Sequence, residues 1–164
     1  MKLNQVLALA VKYGDEGSRT NAREEVGGVI LQRKGWKSTV YYTSPRADYS
    51  RNTLDFIWVP LHNQHTGTPT AHGLFEATQE EFTKKAIPLL RDGWKRYATF
   101  HTHPSFSYHP SHTDLTELFK SYHINYIYSI PENCVAKYTW QGEVSLKQEI
   151  TRDINKWLKL NESQ

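Results

Sequence analysis

Leu3, Val6, Leu7, Leu9, Ala10 and Tyr13 recur at helical spacing, which predicts a first helix that Gly14 ends. Residues 15–21 are polar, include Gly17, and read as a loop. After Glu25 the pattern changes: Val26, Gly27, Gly28, Val29, Ile30 and Leu31 are apolar on both parities, as in a strand covered on both faces. Lys34-Gly35 reads as a hairpin turn, with a returning strand from Trp36 to Tyr42. A polar loop over 44–52 leads to a third strand, Leu54 to Val59, which Pro60 closes. Residues 61–73 are rich in His, Gly and Pro and predict a turn-rich surface segment. Thr78-Gln-Glu-Glu81 resembles a capping box opening a helix through Phe82, Ala86, Leu89 and Leu90; Pro88 kinks it or shifts its start, and Gly93 stops it. Arg96 to His103 is a strand, and Ser111 caps a helix to about Tyr122. Ile124 to Ile130 and Cys134 to Trp140 are strands joined around Pro131-Glu132-Asn133, and a final amphipathic helix is expected from about Leu146 to Leu160. About six strands with three or four helices make a mixed α/β domain.

Length and composition narrow the picture without changing it. At 164 residues the chain is expected to form one domain, 1–164, able to bury a core without disulfides. The formal net charge of +3 comes from scattered Lys and Arg, with no basic block of the kind that marks nucleic-acid binding. Aromatics make up 13% of the chain but fall in alternating strands, where core packing is the default reading, rather than interleaved with a basic stripe. The first ten residues faintly resemble a signal peptide, but the apolar part is short and Lys12, Asp15 and Glu16 follow at once. No apolar run approaches the roughly 20 residues that span a bilayer. The lone Cys134, set among Val135, Ala136 and Tyr138, reads as a buried strand residue rather than a nucleophile, and fits a reducing, cytoplasmic setting.

The chemistry concentrates between residues 101 and 114. His101-Thr-His103-Pro104 closes a strand, and Ser111-His-Thr-Asp114 opens the next helix. On a strand i and i+2 share a face, so His101 and His103 converge, together with Tyr97 and Thr99; Ala98, Phe100 and Thr102 face the other way. Ser111 at an N-cap and Asp114 at N3 both turn toward the strand end. Two imidazoles and a carboxylate suit Zn²⁺ with one position left open, the arrangement of a hydrolytic rather than a structural site. Such a site needs a base, and Glu25 is the candidate: a carboxylate opening an apolar strand is costly without a polar task. Each piece alone has a plainer reading: a chance His-x-His, an ordinary helix cap, a solvated strand edge. The spacing that joins them separates them from those readings. His62, His65 and His72 match no standard ligand set and read as a polar surface loop.

Glu25-Val-Gly-Gly-Val-Ile30, His101-Thr-His103-Pro104, the seven residues 104–110, then Ser111 and Asp114 resemble the JAMM motif of the MPN+ zinc metalloproteases. The resemblance implies that His101, His103 and Asp114 ligate Zn²⁺. Glu25 would act as general base and then as acid to the leaving amine, and Ser111 would hydrogen-bond the developing oxyanion. Thr102 would be structural, and Gly27-Gly28 would allow close backbone packing beside the site. It further implies a curved, mainly antiparallel or mixed sheet flanked by helices, similar to the cytidine deaminase architecture. The implied activity is cleavage of a peptide or isopeptide bond at the C-terminus of a ubiquitin-like protein, in prokaryotic relatives sometimes within antiviral operons. Two alternatives keep the fold: a JAB-like protease effector or toxin with another protein substrate, and a non-catalytic MPN scaffold. A zinc deaminase would need a Pro-Cys-x-x-Cys pair, which a chain with one cysteine lacks.

Overall fold

The computed structural model describes residues 1–20, 25–36, 52–64, 75–105, 107–111, 114, 122–139 and 144–149. In chain order these form α1 (Leu3–Thr20), β1 (Gly27–Trp36), β2 (Asn52–Leu61), α2 (Gln79–Lys85), α3 (Ile87–Arg91), β3 (Lys95–His103), β4 (Ile124–Ser129), β5 (Cys134–Thr139) and β6 (Val144–Glu149). The six strands make one mixed sheet in the order β2-β1-β3-β4-β5-β6. Every neighbouring pair is antiparallel except β3 and β4. Parallel neighbours need a long crossover, and the connection from β3 to β4 is the segment that carries Ser111 and Asp114. The mixed α/β class expected from the pattern is the one observed.

The sheet has two differently built faces. On one, Val6, Ala8, Ala10 and Val11 of α1 pack with Ile30, Phe56, Ala98, Phe100, Tyr126 and Tyr128. Val6 and Val11 are fully buried, each contributing roughly 1.5–3 kcal/mol. On the other face Val29, Leu31, Val59 and Leu61 pack with Phe75, Trp94 and Tyr122, with Phe82 of α2 and Leu89 and Leu90 of α3 laid against them. Cys134 is fully buried, as the sequence predicts.

Four expectations are corrected. Gly14 does not end the first helix, and residues 15–20 are helical rather than a loop. Gly14 lies within the buried stripe, where an added Cβ would stand 2.5 Å from Thr102 Cγ2 and 3.4 Å from Phe100. The glycine serves close packing of helix on sheet, which outweighs the cost of about 1 kcal/mol for glycine in a helix interior. Lys34-Gly35 is not a turn: both lie inside β1, opposite Leu54 and Thr53 of β2, in a ten-residue register that overrides the local signal. The returning strand predicted over 36–42 falls, beyond Trp36, outside the described residues. The helix expected from Leu146 begins instead as strand β6, which covers the edge of β5; residues 150–160 lie outside the described residues. Tyr97 does not share the histidine face. The register passes from Ile30↔Ala98 to Leu31↔Arg96, leaving Tyr97 as the extra residue of a β-bulge. Its ring meets Phe56 edge-on at 5.0 Å on the α1 side.

The capping and kink signals fared better. Thr78 accepts from the Glu81 N–H at 3.1 Å. The Glu81 carboxylate turns instead to Lys85, at 2.6 Å, and to the His62 N–H, at 3.2 Å. The helix breaks at Ala86, Pro88 sits in the first turn of α3, and Gly93 at φ 93° follows its end.

Candidate metal centre

Register alone brings the acid to the histidines. Gly27 pairs with His101, so the antiparallel ladder continued by two residues sets Glu25 opposite His103. The Thr102 N–H donates to the Val26 carbonyl at 2.8 Å, and the Val26 N–H donates to Thr102 Oγ1 at 3.0 Å. A Cβ on Gly27 would lie 2.1 Å from the Phe100 carbonyl, and one on Gly28 2.2 Å from that of Val59. The two glycines therefore let β1 press between its neighbours beside the site, as expected for this pair.

His101 and His103 project from the end of β3 on the face away from α1, with Nε2 atoms 3.1 Å apart. Asp114 spans them, Oδ1 at 3.2 Å from His101 Nε2 and Oδ2 at 3.2 Å from His103 Nε2. Glu25 Oε1 approaches at 3.7 Å from His101 and 3.4 Å from His103. All four residues are buried, and their ligand atoms lie within 4.8 Å of one another. Ser111 holds Asp114 by a reciprocal cap: its N–H donates to Oδ2 at 2.8 Å, and its Oγ accepts from the Asp114 N–H at 3.1 Å.

The donor set fits a small divalent cation. Tetrahedral ligands bound at roughly 2.0–2.2 Å stand about 3.3–3.6 Å apart, close to the separations found. His103 Nδ1 lies 2.7 Å from the Ser107 carbonyl. A carbonyl can only accept, so Nδ1 carries a proton and Nε2 is the nitrogen turned to the cluster, the one that would offer a lone pair to a metal. Both Glu25 oxygens are buried with no hydrogen-bond partner among the described residues, an expensive arrangement unless a cation or its ligand is expected there.

The electrostatics agree. Burial pushes the Glu25 carboxyl above its ordinary value, against the pull of both histidines. For His101 burial acts downward, but the Asp114 and Glu25 carboxylates outweigh it and the net shift is upward. Asp114 shifts down: burial opposes this, and the histidines and the Ser111 N–H overcome it.

The structure thus brings Glu25, His101, His103 and Asp114 together, with Ser111 beside them. His62 is exposed, and its backbone N–H donates to Glu81 of α2; His65 and His72 lie outside the described residues. Two neighbours were not foreseen. Phe75 stacks on His101, ring centroids 6.5 Å apart and planes 12° apart. Asn63, just past β2, donates through Nδ2 to the Glu25 carbonyl at 2.9 Å. No spacing in the sequence links either residue to the motif.

A family model described as prokaryotic homologs of the JAB domain matches residues 16–141. No curated protein matches the chain.

Proposed function

Because the chain belongs to the family of prokaryotic homologs of the JAB domain, we propose that it is a zinc-dependent peptidase of the JAMM type. Its substrate, on this reading, is a peptide or isopeptide bond at the C-terminus of a ubiquitin-like protein. The observation that carries the reading is the buried cluster of two imidazoles and two carboxylates, with nitrogen and oxygen atoms 3.1–3.7 Å apart. The motif's resemblance to the MPN+ metalloproteases supports the substrate class and a place in a prokaryotic conjugation or antiviral system. The chain's one cysteine, the buried Cys134, is in keeping with a cytoplasmic setting. No helix among the described residues is long and apolar enough to cross a membrane.

His101, His103 and Asp114 would hold the ion. Zn²⁺, when bound, supplies a Lewis acid and brings the pKa of water to about 7. Glu25 takes a proton at its carboxylate and returns it to the leaving amine; its burial, which raises its affinity for protons, matches that shuttle. Ser111 Oγ accepts from the Asp114 N–H, which leaves its own proton free to meet a developing oxyanion. Phe75 lies parallel to the His101 ring, with centroids 6.5 Å apart.

Elemental analysis of the purified chain, followed by a panel of ubiquitin-like fusions with and without chelator, tests the proposal. About one zinc per chain and chelator-sensitive release of the ubiquitin-like part are expected. A chain that takes up no zinc at neutral pH would be a scaffold, and the proposal would fall.

A further inference from the structure

Nothing among the described residues hydrogen-bonds the Glu25 carboxylate, so its direction is set by how its backbone is held. One hold comes from β3, through Thr102 and Val26. The other comes from a different part of the chain. Asn63 is 3% exposed, and its carboxamide works in two directions at once. Nδ2 donates to the Glu25 carbonyl at 2.9 Å, and Oδ1 accepts from the Glu76 N–H at 3.2 Å. The Glu76 carbonyl in turn accepts from the Gln64 N–H at 2.9 Å, and Asn63 and Ala77 form an antiparallel bridge. The same short segment carries Phe75, whose ring lies on His101. Only a group with a donor and an acceptor on one small plane makes both bonds: Asp lacks the donor, and an apolar residue lacks both.

We propose that Asn63 is a positioning residue that fixes Glu25 at the metal centre and ties it to the 75–77 segment beside His101. The inference rests on the reading of Glu25 as the base of a metallopeptidase. Removing Asn63 frees the Glu25 backbone while leaving all three ligands in place. The metal is kept and the carboxylate is misplaced.

The test compares wild type, Asn63→Asp, Asn63→Ala, Glu25→Gln and the double variant Asn63→Asp/Glu25→Gln, each loaded with cobalt(II). Asn63→Asp keeps the acceptor for Glu76, loses the donor to Glu25 and turns a carboxylate oxygen toward its carbonyl; Asn63→Ala, which adds no charge, serves if the Asp variant does not fold. Both are expected to bind one cobalt per chain. Their visible absorption should change in the direction seen for Glu25→Gln, and the double variant's spectrum should superimpose on that of Glu25→Gln alone. Release of a ubiquitin-like fusion should slow roughly 10–100-fold in kcat with KM unchanged. A wild-type spectrum and kcat in the Asn63 variants, or a double variant whose spectrum departs from Glu25→Gln, would overturn the proposal. The two readings fail separately. Wild-type turnover by Glu25→Gln removes the base itself, whereas an inert Glu25→Gln beside a fully active Asn63→Asp removes only the role of Asn63.

Discussion

β3 shows two kinds of burial on alternate residues of one strand. Ala98, Phe100 and Thr102 face α1; Thr99, His101 and His103 face away, and all six are buried. On the α1 side the β3 residues are packed or paired. Gly14 fits tightly against Thr102, Thr102 Oγ1 accepts the Val26 N–H, and the Tyr128 hydroxyl donates to Asp15 at 3.1 Å. At the end of the other side four ionisable groups crowd together, and the Glu25 oxygens have no hydrogen bond among the described residues. Equal burial therefore hides opposite purposes. Satisfied burial holds helix to sheet. Unsatisfied burial of charge costs stability unless a cation completes it, and here it marks the candidate metal centre.

The largest effects are expected at the metal-binding side chains. His103→Ala and Asp114→Ala should each lose the metal, with affinity falling by more than the roughly 100-fold seen when supporting groups are removed, and turnover should drop to background. Elemental analysis and chelator-controlled assays read both. Retention of zinc by Asp114→Ala would show that this carboxylate is no ligand. Next comes Glu25→Gln, which should keep its zinc and lose about 10²–10⁴-fold in kcat, the usual range for a positioned base. Loss of zinc in that variant would move Glu25 from base to ligand.

On the packed side the expected effect is on folding alone. Gly14→Val adds bulk where Thr102 Cγ2 already stands 2.5 Å from the added Cβ position, and should destabilise by about 1–3 kcal/mol. Zinc content should be unchanged. A melt matching wild type would mean that α1 does not seat as described, while loss of zinc would show that the two faces are mechanically one.

The same contrast explains what the sequence disclosed. His101, His103, Ser111 and Asp114 were legible because strand parity and a helix cap act over a few residues, and Glu25 because a lone acid opening an apolar run is conspicuous. The β3 strand, the helix break just before Pro88 and the burial of Cys134 followed from equally local rules. What stayed hidden depends on partners distant in the chain. Gly14 reads as a helix stop until Thr102 is seen beside it, and Lys34-Gly35 reads as a turn until β2 lies along it. The short stretch Val144-Ser145-Leu146 suits helix or strand until β5 offers an edge. Asn63 and Phe75 enter the site only because residues 63 and 77 pair.

The smallest effect is also the one that most directly opposes the two kinds of burial, because it depends on proton binding at the cluster. Without metal, His101 lies above its ordinary 6.5, since its carboxylate neighbours outweigh burial. The stability this contributes is complete below about pH 6.5 and is lost as pH rises through the raised value. Glu25, lifted above 4.5 by burial, acts in the same sense: the folded chain holds its proton longer than the unfolded one, so stability declines as pH climbs past that value. Asp114, lowered from 3.8, acts oppositely and matters only in stronger acid, where its contribution is lost as pH falls. The metal-free protein should therefore melt at a lower temperature at pH 8 than at pH 5.5, with a slope of at most about 1.4 kcal/mol per pH unit for each proton released. Zinc must reverse that sign over the same range, because it binds only deprotonated ligands and its hold on the folded chain strengthens as protons leave. Thermal melts at the two pH values, with chelator and with zinc, compare the slopes directly. Parallel slopes would mean that metal and protons do not compete for these four side chains, and that the cation sits elsewhere.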